Sequence, residues 1–197
     1  MQEENADKES GLPRFVVPVI VAVIVAAVVL IVLSGGEKYE PVVAGKDAID
    51  FTLPDLKGNL RSLKDFRGKV VFLNFWATWC KPCEQEMPSM QALYESQQGR
   101  PFEIVAVSID SEGPEVIEGF LRKYSITFPV LHDRKGALKE RYKTTGVPET
   151  FIIDQNGVIA EKVWGPRDWT QPGSIQTIID LLNYGPKTRQ DYAVKKP

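Results

Sequence analysis

The spacing of apolar residues changes several times along this chain, and each change marks a different element. The first run, "FVVPVIVAVIVAAVVLIVL" (residues 15–33), has 19 consecutive residues without a charge or a hydrogen-bonding side chain. As a helix it would reach roughly 28 Å, close to the ~30 Å hydrocarbon core of a bilayer. Apolar on every face, it reads as one transmembrane helix. Pro18 falls in its first turn, where a missing N–H costs little. A cleaved leader would have a shorter apolar stretch and an A-x-A-like site, which "VLSGG" (32–36) matches poorly. Further on, "DFTLPDLKGNLRSL" (50–63) sets two short apolar segments around Lys-Gly-Asn, a hairpin pattern. "KVVFLNFW" (69–76) and "FEIVAVSI" (102–109) are near-continuous apolar runs, as in strands covered on both faces.

Helical spacing separates those strands. A helix is predicted over 82–98, with Met87, Met90, Leu93 and Tyr94 inward and a kink at Pro88. Another covers 114–124, where Val116, Ile117, Phe120, Leu121 and Tyr124 share a face. "FPVLHD" (128–133) is a short strand, followed by a helix near 136–142. "ETFIID" (149–154) and "VIAEKVW" (158–164) flank Gln155-Asn156-Gly157, a strong hairpin signal. The last helix, 171–182, should bury Ile175, Ile178, Ile179 and Leu182. The expected organisation is a cytoplasmic tail (1–14), an anchor (15–33), a tether (34–46), an α/β domain (47–183) and a mobile tail without periodicity (184–197).

Charge adds two points. Residues 45–197 carry 21 basic and 20 acidic side chains, so no basic stripe is available and nucleic acid is excluded as a partner. Around the apolar run, Lys8 and Arg14 on one side match Lys38 and Lys46 on the other. Only Arg14, almost touching the run, tips the N-terminus toward the cytoplasm and the domain outside it. The bilayer is thus an expected partner of residues 15–33.

The two cysteines, Cys80 and Cys83, lie in "NFWATWCKPCEQEMP" (74–88). Structural zinc needs four Cys/His ligands, and two cysteines with the single His132 fall short, so no metal and no cofactor is expected. His132 reads as a loop or strand-end histidine. A bridge closing two residues removes little chain entropy and is a poor structural clip. The redox reading has positive support. Cys80 comes directly after a buried strand and before a helix, whose N-terminal N–H groups stabilise a thiolate. Pro82 suits the first helical turn and Lys81 adds a positive charge nearby. Cys83, one turn in, is shielded and suited to resolve a mixed disulfide. Trp79 is the aromatic residue expected to be exposed for substrate, with Phe72 and Trp76 in the core.

"FLNFWATWCKPC" resembles the active-site stretch of thioredoxin-like proteins, and "GVPETFIIDQNG" (146–157) their cis-proline loop. The likeness covers about residues 45–183. With the anchor, "DFTLPDLKGNLRSL" and "FPVLHD" as an inserted segment, the chain most resembles the membrane-anchored TlpA/ResA/CcmG group, extracytoplasmic reductants associated with cytochrome c maturation. The resemblance implies a thioredoxin-like α/β fold: a mixed central sheet flanked by helices, an N-terminal β-hairpin and an inserted α/β segment. It further implies that Cys80 attacks a substrate disulfide and Cys83 releases it. The Val147–Pro148 bond would be cis, with the Val147 backbone pairing with the substrate chain. Implied partners are disulfide-containing exported proteins such as apocytochrome c and a membrane thiol reductase that recycles the dithiol. The implied location is the bacterial cytoplasmic membrane, with the domain facing the periplasm or extracytoplasmic space.

Two positions depart from the common pattern. Where many thioredoxins place a buried aspartate six residues before the first cysteine, this chain has Asn74, as that group generally lacks the aspartate. Glu149, next to Pro148, then becomes the candidate proton acceptor for Cys83; the alternative is a solvated strand-end carboxylate. Lys81 stands where some members of the group carry an acid, so their thiol properties do not transfer. Other functions stay open beside the reductase: a general thiol-redox protein acting as oxidant or isomerase, and a copper-delivery module of the same fold. The copper module expects three residues between its cysteines and a distal histidine, whereas two residues separate Cys80 from Cys83 and the single histidine lies upstream of Pro148. A peroxidase pattern fails too, since Leu73 and Ala77 occupy its proline and Ser/Thr positions.

Overall fold

A computed structural model describes residues 15–33 and 42–194. The chain divides into two compact units. In the first, helix α1 (Val16–Leu33) holds 18 residues, all of them apolar. Its length is about 27 Å, just under the thickness of a hydrocarbon core. Among the described residues no helix is long and apolar enough to cross a membrane.

The second unit is built on β3 (Val70–Trp76), every residue of which is buried. It lies at the centre of a five-stranded sheet ordered β5-β4-β3-β6-β7. β4 (Phe102–Ser108) runs parallel to β3, and β5 (Val130–His132) parallel to β4. β6 (Glu149–Ile153) and β7 (Ile159–Trp164) complete the sheet in antiparallel order. The mixed sheet and the terminal hairpin match the sequence pattern. Because side chains alternate along a strand, β3 feeds two cores. Val70, Phe72 and Trp76 face α2 (Lys81–Ser96), α3 (Pro114–Lys123) and α5 (Pro172–Tyr184), meeting Met87, Met90, Ile117 and Ile178. Val71, Leu73 and Phe75 face Phe51, Leu63 and Phe66 and the residues Leu138 and Tyr142 around α4 (Ala137–Arg141). The N-terminal hairpin of β1 (Thr52–Pro54) and β2 (Leu60–Ser62) leads into that second layer. The segment α3–β5–α4 contains residues 128–133 and adds β5 to the sheet edge.

The helix faces differ in detail. Val116, expected inside, is exposed, while Ile117 is buried and Phe120, Leu121 and Tyr124 pack half-buried against the core. In α5 the buried positions are Thr177, Ile178 and Leu181; Ile175, Ile179 and Leu182 are half-buried. In both helices the true face is rotated slightly from the one the most apolar residues suggest.

Two expected linkers turn out to be structure. Residues 42–46, assigned to the tether, are part of the domain, while residues 34–41 lie outside the described ones. Val42 is buried in the second core. The Gly45 N–H donates to Ile159 O (2.8 Å) and Ile159 N–H to Lys46 O (2.9 Å), pairing the start of β7 on its exposed edge. An edge strand needs such partners, yet they impose no periodicity on the segment that supplies them. Gly45 has φ +85°, and a Cβ there would stand 2.6 Å from the Arg189 carbonyl oxygen. The predicted mobile tail likewise contains α6 (Arg189–Val194). Tyr192 is buried; its hydroxyl donates to Asp154 Oδ2 (2.9 Å) and accepts from the Lys187 N–H (2.8 Å). Six residues with one buried aromatic are too few to leave a helical period in the sequence.

Candidate active site

β3 ends at Trp76, and four residues later Cys80 caps the N-terminus of α2. The loop between them is pinned from β4. Asp110, fully buried, accepts the Thr78 N–H (3.1 Å) and the hydroxyls of Thr78 and Ser108, both at 2.7 Å. His132 Nε2 lies 2.8 Å from the Asp110 carbonyl oxygen, which accounts for it as a strand-end residue. Sequence reading missed Asp110; a lone aspartate after a buried strand gives no periodic signal.

Cys80 and Cys83 form a disulfide. Cys80 Sγ serves as the helix cap, accepting the Cys83 N–H at 3.2 Å. A helix start leaves such N–H groups without intrahelical partners, so a sulfur there is stabilised further when it carries charge. Cys80 is 5% exposed and Cys83 is 0% exposed, which ranks the pair: only the first cysteine keeps any exposed surface. Lys81 and Pro82 fill the first helical turn. Lys81 is not free to act on the sulfurs alone, since its Nζ lies 3.0 Å from Glu84 Oε1. The Tyr124 hydroxyl also binds Glu84, and together with Lys81 holds that carboxyl below its usual range.

On the other side of the disulfide the Val147–Pro148 bond is cis. The Val147 carbonyl oxygen lies 3.4 Å from Cys80 Sγ. Trp79 projects beside Cys80, 65% exposed, unlike Phe72 and Trp76, which are wholly buried. Trp79, Cys80, Cys83, Val147 and Pro148 therefore converge at one end of the sheet.

Glu149 does not join them. Strand alternation turns Thr150 and Ile152 toward the layer of α2, and Glu149, Phe151 and Ile153 toward the opposite one. Glu149 is buried there, with Lys162 Nζ 2.7 Å from its Oε1. It is neither a relay beside Cys83 nor a solvated carboxylate. Adjacency to Pro148 in sequence was misleading because the next residue on a strand faces the other way.

The carboxylate on the cysteine side is Glu86, which sequence reading missed. Three residues after Cys83, it shares that residue's helix face, where such Cβ atoms are about 5–6 Å apart. It is 2% exposed, without a cation on its oxygens. Asn74 Nδ2 donates to Oε1 at 3.0 Å, and the Arg167 N–H and Trp169 Nε1–H donate to Oε2, both at 3.3 Å. Trp169 is held by an edge-on contact with Phe72, with centroids 4.6 Å apart. Asn74 also donates to Thr150 Oγ1 at 3.0 Å across the β3–β6 pair. Burial pushes the Glu86 carboxyl up from 4.5 to about 7, against the pull of those three donors. A pocket of about 370 Å³, lined by Gln85, Glu86, Ser89, Pro166, Arg167 and Asp168, opens beside it. The available signal was an acid within the inward stripe of Met87 and Met90.

Comparison with known proteins agrees with this geometry. Residues 44–162 match the model of the AhpC/TSA family. Thiol-disulfide oxidoreductase ResA from Bacillus cereus is 39% identical over 148 residues, 70% of this chain and 85% of that protein. The ResA of Geobacillus kaustophilus is 44% identical over 124 residues, 63% of this chain and 71% of that one. A crystal structure from Chlorobium tepidum, described as a thiol:disulfide interchange protein DsbE, superposes with TM-score 0.63 at 36% identity, covering 71% of this chain and 98% of its own. The chain belongs to the AhpC/TSA family of thioredoxin-like proteins, with the ResA-type thiol-disulfide oxidoreductases as its relatives. It is a thiol-disulfide oxidoreductase with its Cys-x-x-Cys pair at 80 and 83.

The raised Glu86 carboxyl has a consequence for stability. Between pH 4.5 and about 7 the native state holds this proton and the unfolded chain releases it. The native state therefore binds more protons, and its stability falls as pH rises through that window. The full contribution is up to about 3 kcal/mol, from about 1.4 kcal/mol per pKa unit. Urea unfolding of the oxidised protein should show wild type losing stability relative to Glu86→Gln between pH 4 and 8. A difference that stays flat over this range means Glu86 titrates as an ordinary carboxylate.

Proposed function

We propose that this protein is a membrane-tethered, extracytoplasmic reductant of disulfides in exported proteins. The observation that carries the reading is the unequal pair of sulfurs: one capping a helix and still slightly exposed, one wholly buried and a helical turn from Glu86, whose carboxyl burial pushes up to about 7. In the reduced protein the Cys80 thiolate attacks a substrate sulfur. One substrate thiolate leaves, and a mixed disulfide joins Cys80 to the other half. Glu86 accepts the Cys83 proton; the Cys83 thiolate attacks Cys80 Sγ and expels the second substrate thiolate. Two electrons have passed to the substrate, leaving the Cys80–Cys83 disulfide for a membrane dithiol reductase to reset. The Val147 carbonyl, beside Cys80, is available to pair with the backbone of the substrate chain, and Trp79 offers it an apolar surface. Apocytochrome c is the substrate suggested by the resemblance to the TlpA/ResA/CcmG group.

The tether rests on the 19-residue apolar run from Phe15 to Leu33. A span slightly shorter than the hydrocarbon core is accommodated by modest bilayer thinning. Arg14 at its start supports a cytoplasmic N-terminus.

Three outcomes follow from this scheme. Cys83→Ser, with Cys80 free, should accumulate mixed disulfides with exported proteins, and Cys80→Ser should accumulate none; equal trapping by both would remove the assigned roles. In stopped-flow reduction of a peptide disulfide, Glu86→Gln should slow decay of the mixed disulfide by up to about 10²-fold, as for loss of a general base. Its formation should change less, and unaltered decay across pH would exclude Glu86 as the proton acceptor. Protease added to intact protoplasts expressing the full chain should digest the domain. Complete protection would put the dithiol in the cytosol and end the extracytoplasmic reading.

A further inference from the structure

During resolution the substrate is attached to Cys80 and covers the surface formed by Trp79, Cys80 and Val147. A proton taken by Glu86 still has to leave. Its carboxylate is itself buried, so release into water needs a second way out. The 370 Å³ pocket beside α2 has Glu86 in its wall, and its other lining residues are Gln85, Ser89, Pro166, Arg167 and Asp168. None of these belongs to the sulfur face. We infer that this pocket is a proton port, through which Glu86 exchanges its proton with solvent while substrate occupies the sulfur face. The inference rests on the reading of Glu86 as the acceptor for Cys83.

The wall of the port is stitched rather than loose. Ser89 Oγ donates to the Glu86 carbonyl at 2.8 Å and accepts the Trp169 N–H at 3.1 Å, fixing residues 166–169 against α2. The charged groups around the carboxylate are already engaged. The Arg167 guanidinium lies 3.0 Å from Glu161 Oε1, and the Asp168 carboxylate accepts from Thr170 and Gln171. β3 and β6 contribute only Asn74 and Thr150 there, both uncharged. The balance is simple. Cys83–SH and Glu86–COO⁻ become Cys83–S⁻ and Glu86–COOH; a water or buffer base in the pocket then takes the proton from the carboxyl. The site is therefore one for water and for small acids and bases. The donors that converge on the carboxylate, Asn74 Nδ2, Arg167 N–H and Trp169 Nε1–H, also define a cradle for a small monocarboxylate once the Glu86 side chain is removed.

That cradle permits a test on the full chain in detergent. Glu86→Ala leaves a hole continuous with the pocket, and formate is the probe, with chloride at equal ionic strength as control. In the oxidised Glu86→Ala protein, formate should raise the unfolding midpoint saturably beyond chloride, as a ligand bound only by the native state does. It should do so far less in wild type or in Glu86→Ala/Gln85→Trp, where the exposed Gln85 position is filled by a plug. Formate should also restore mixed-disulfide decay in Glu86→Ala by roughly 10-fold, within the range of general base catalysis, and the plug should abolish that rescue. Equal effects of formate and chloride on Glu86→Ala, or rescue undiminished by the plug, would overturn the port. Saturable stabilisation without kinetic rescue would leave the pocket as an entry to the site and instead sink Glu86 as the proton acceptor. If Glu86→Ala folds only when formate is present and not with chloride, that dependence is itself the stabilisation expected.

Discussion

Strand β3 has no solvent face, and the rest of the domain answers that constraint. Seven consecutive buried residues need apolar cover on both sides. α2, α3 and α5 supply it on one face; the segment from Phe51 to Phe66, together with Leu138 and Tyr142, supplies it on the other. Only the end of such a strand can carry chemistry, because only there does the chain emerge from between the layers. Cys80 stands at that end, and the helix that covers one face of β3 begins at its sulfur. Packing and reactivity are thus set by the same junction.

Two buried carboxylates near this junction meet the cost of desolvation in different ways. Glu149 has Lys162 at 2.7 Å, with the ammonium also 5.0 Å from the ring centres of Phe151 and Trp164. Glu86 has three N–H donors and no cation. Dipolar donors offset only part of the lost hydration, so the neutral form gains ground and the group can change charge near neutrality. The replacement of an acid by Asn74 on β3 belongs to the same arrangement. Its amide donates to Glu86, where a second carboxylate would oppose ionisation of the first.

The active-site loop depends on one more buried acid. Asp110 closes β4 and fixes Thr78, two residues before Cys80, through backbone and hydroxyl together. With the Val147 carbonyl on the far side of the sulfur, Cys80 is set between two separate segments that meet only in the folded chain.

The strands and most helices were legible in the sequence, because burial on two faces, helical spacing and the Asn-Gly turn are local patterns. So were Cys80, Cys83, Trp79 and the Val147–Pro148 bond, where residue type and position between a strand and a helix define the chemistry or where a whole motif resembles a family. Residues 42–46 and α6 were not legible, since what holds them is the free edge of β7 and the carboxylate of Asp154, both distant in sequence. The choice between Glu149 and Glu86 was not legible either. Sequence order puts Glu149 beside Pro148, but the two-residue period of a strand turns it to the wrong layer. Glu86 is three residues from Cys83, and the helical turn brings it to the same side. Its raised pKa comes from desolvation in the folded domain, beside Trp169 and the Arg167 loop, a burial that no local pattern encodes.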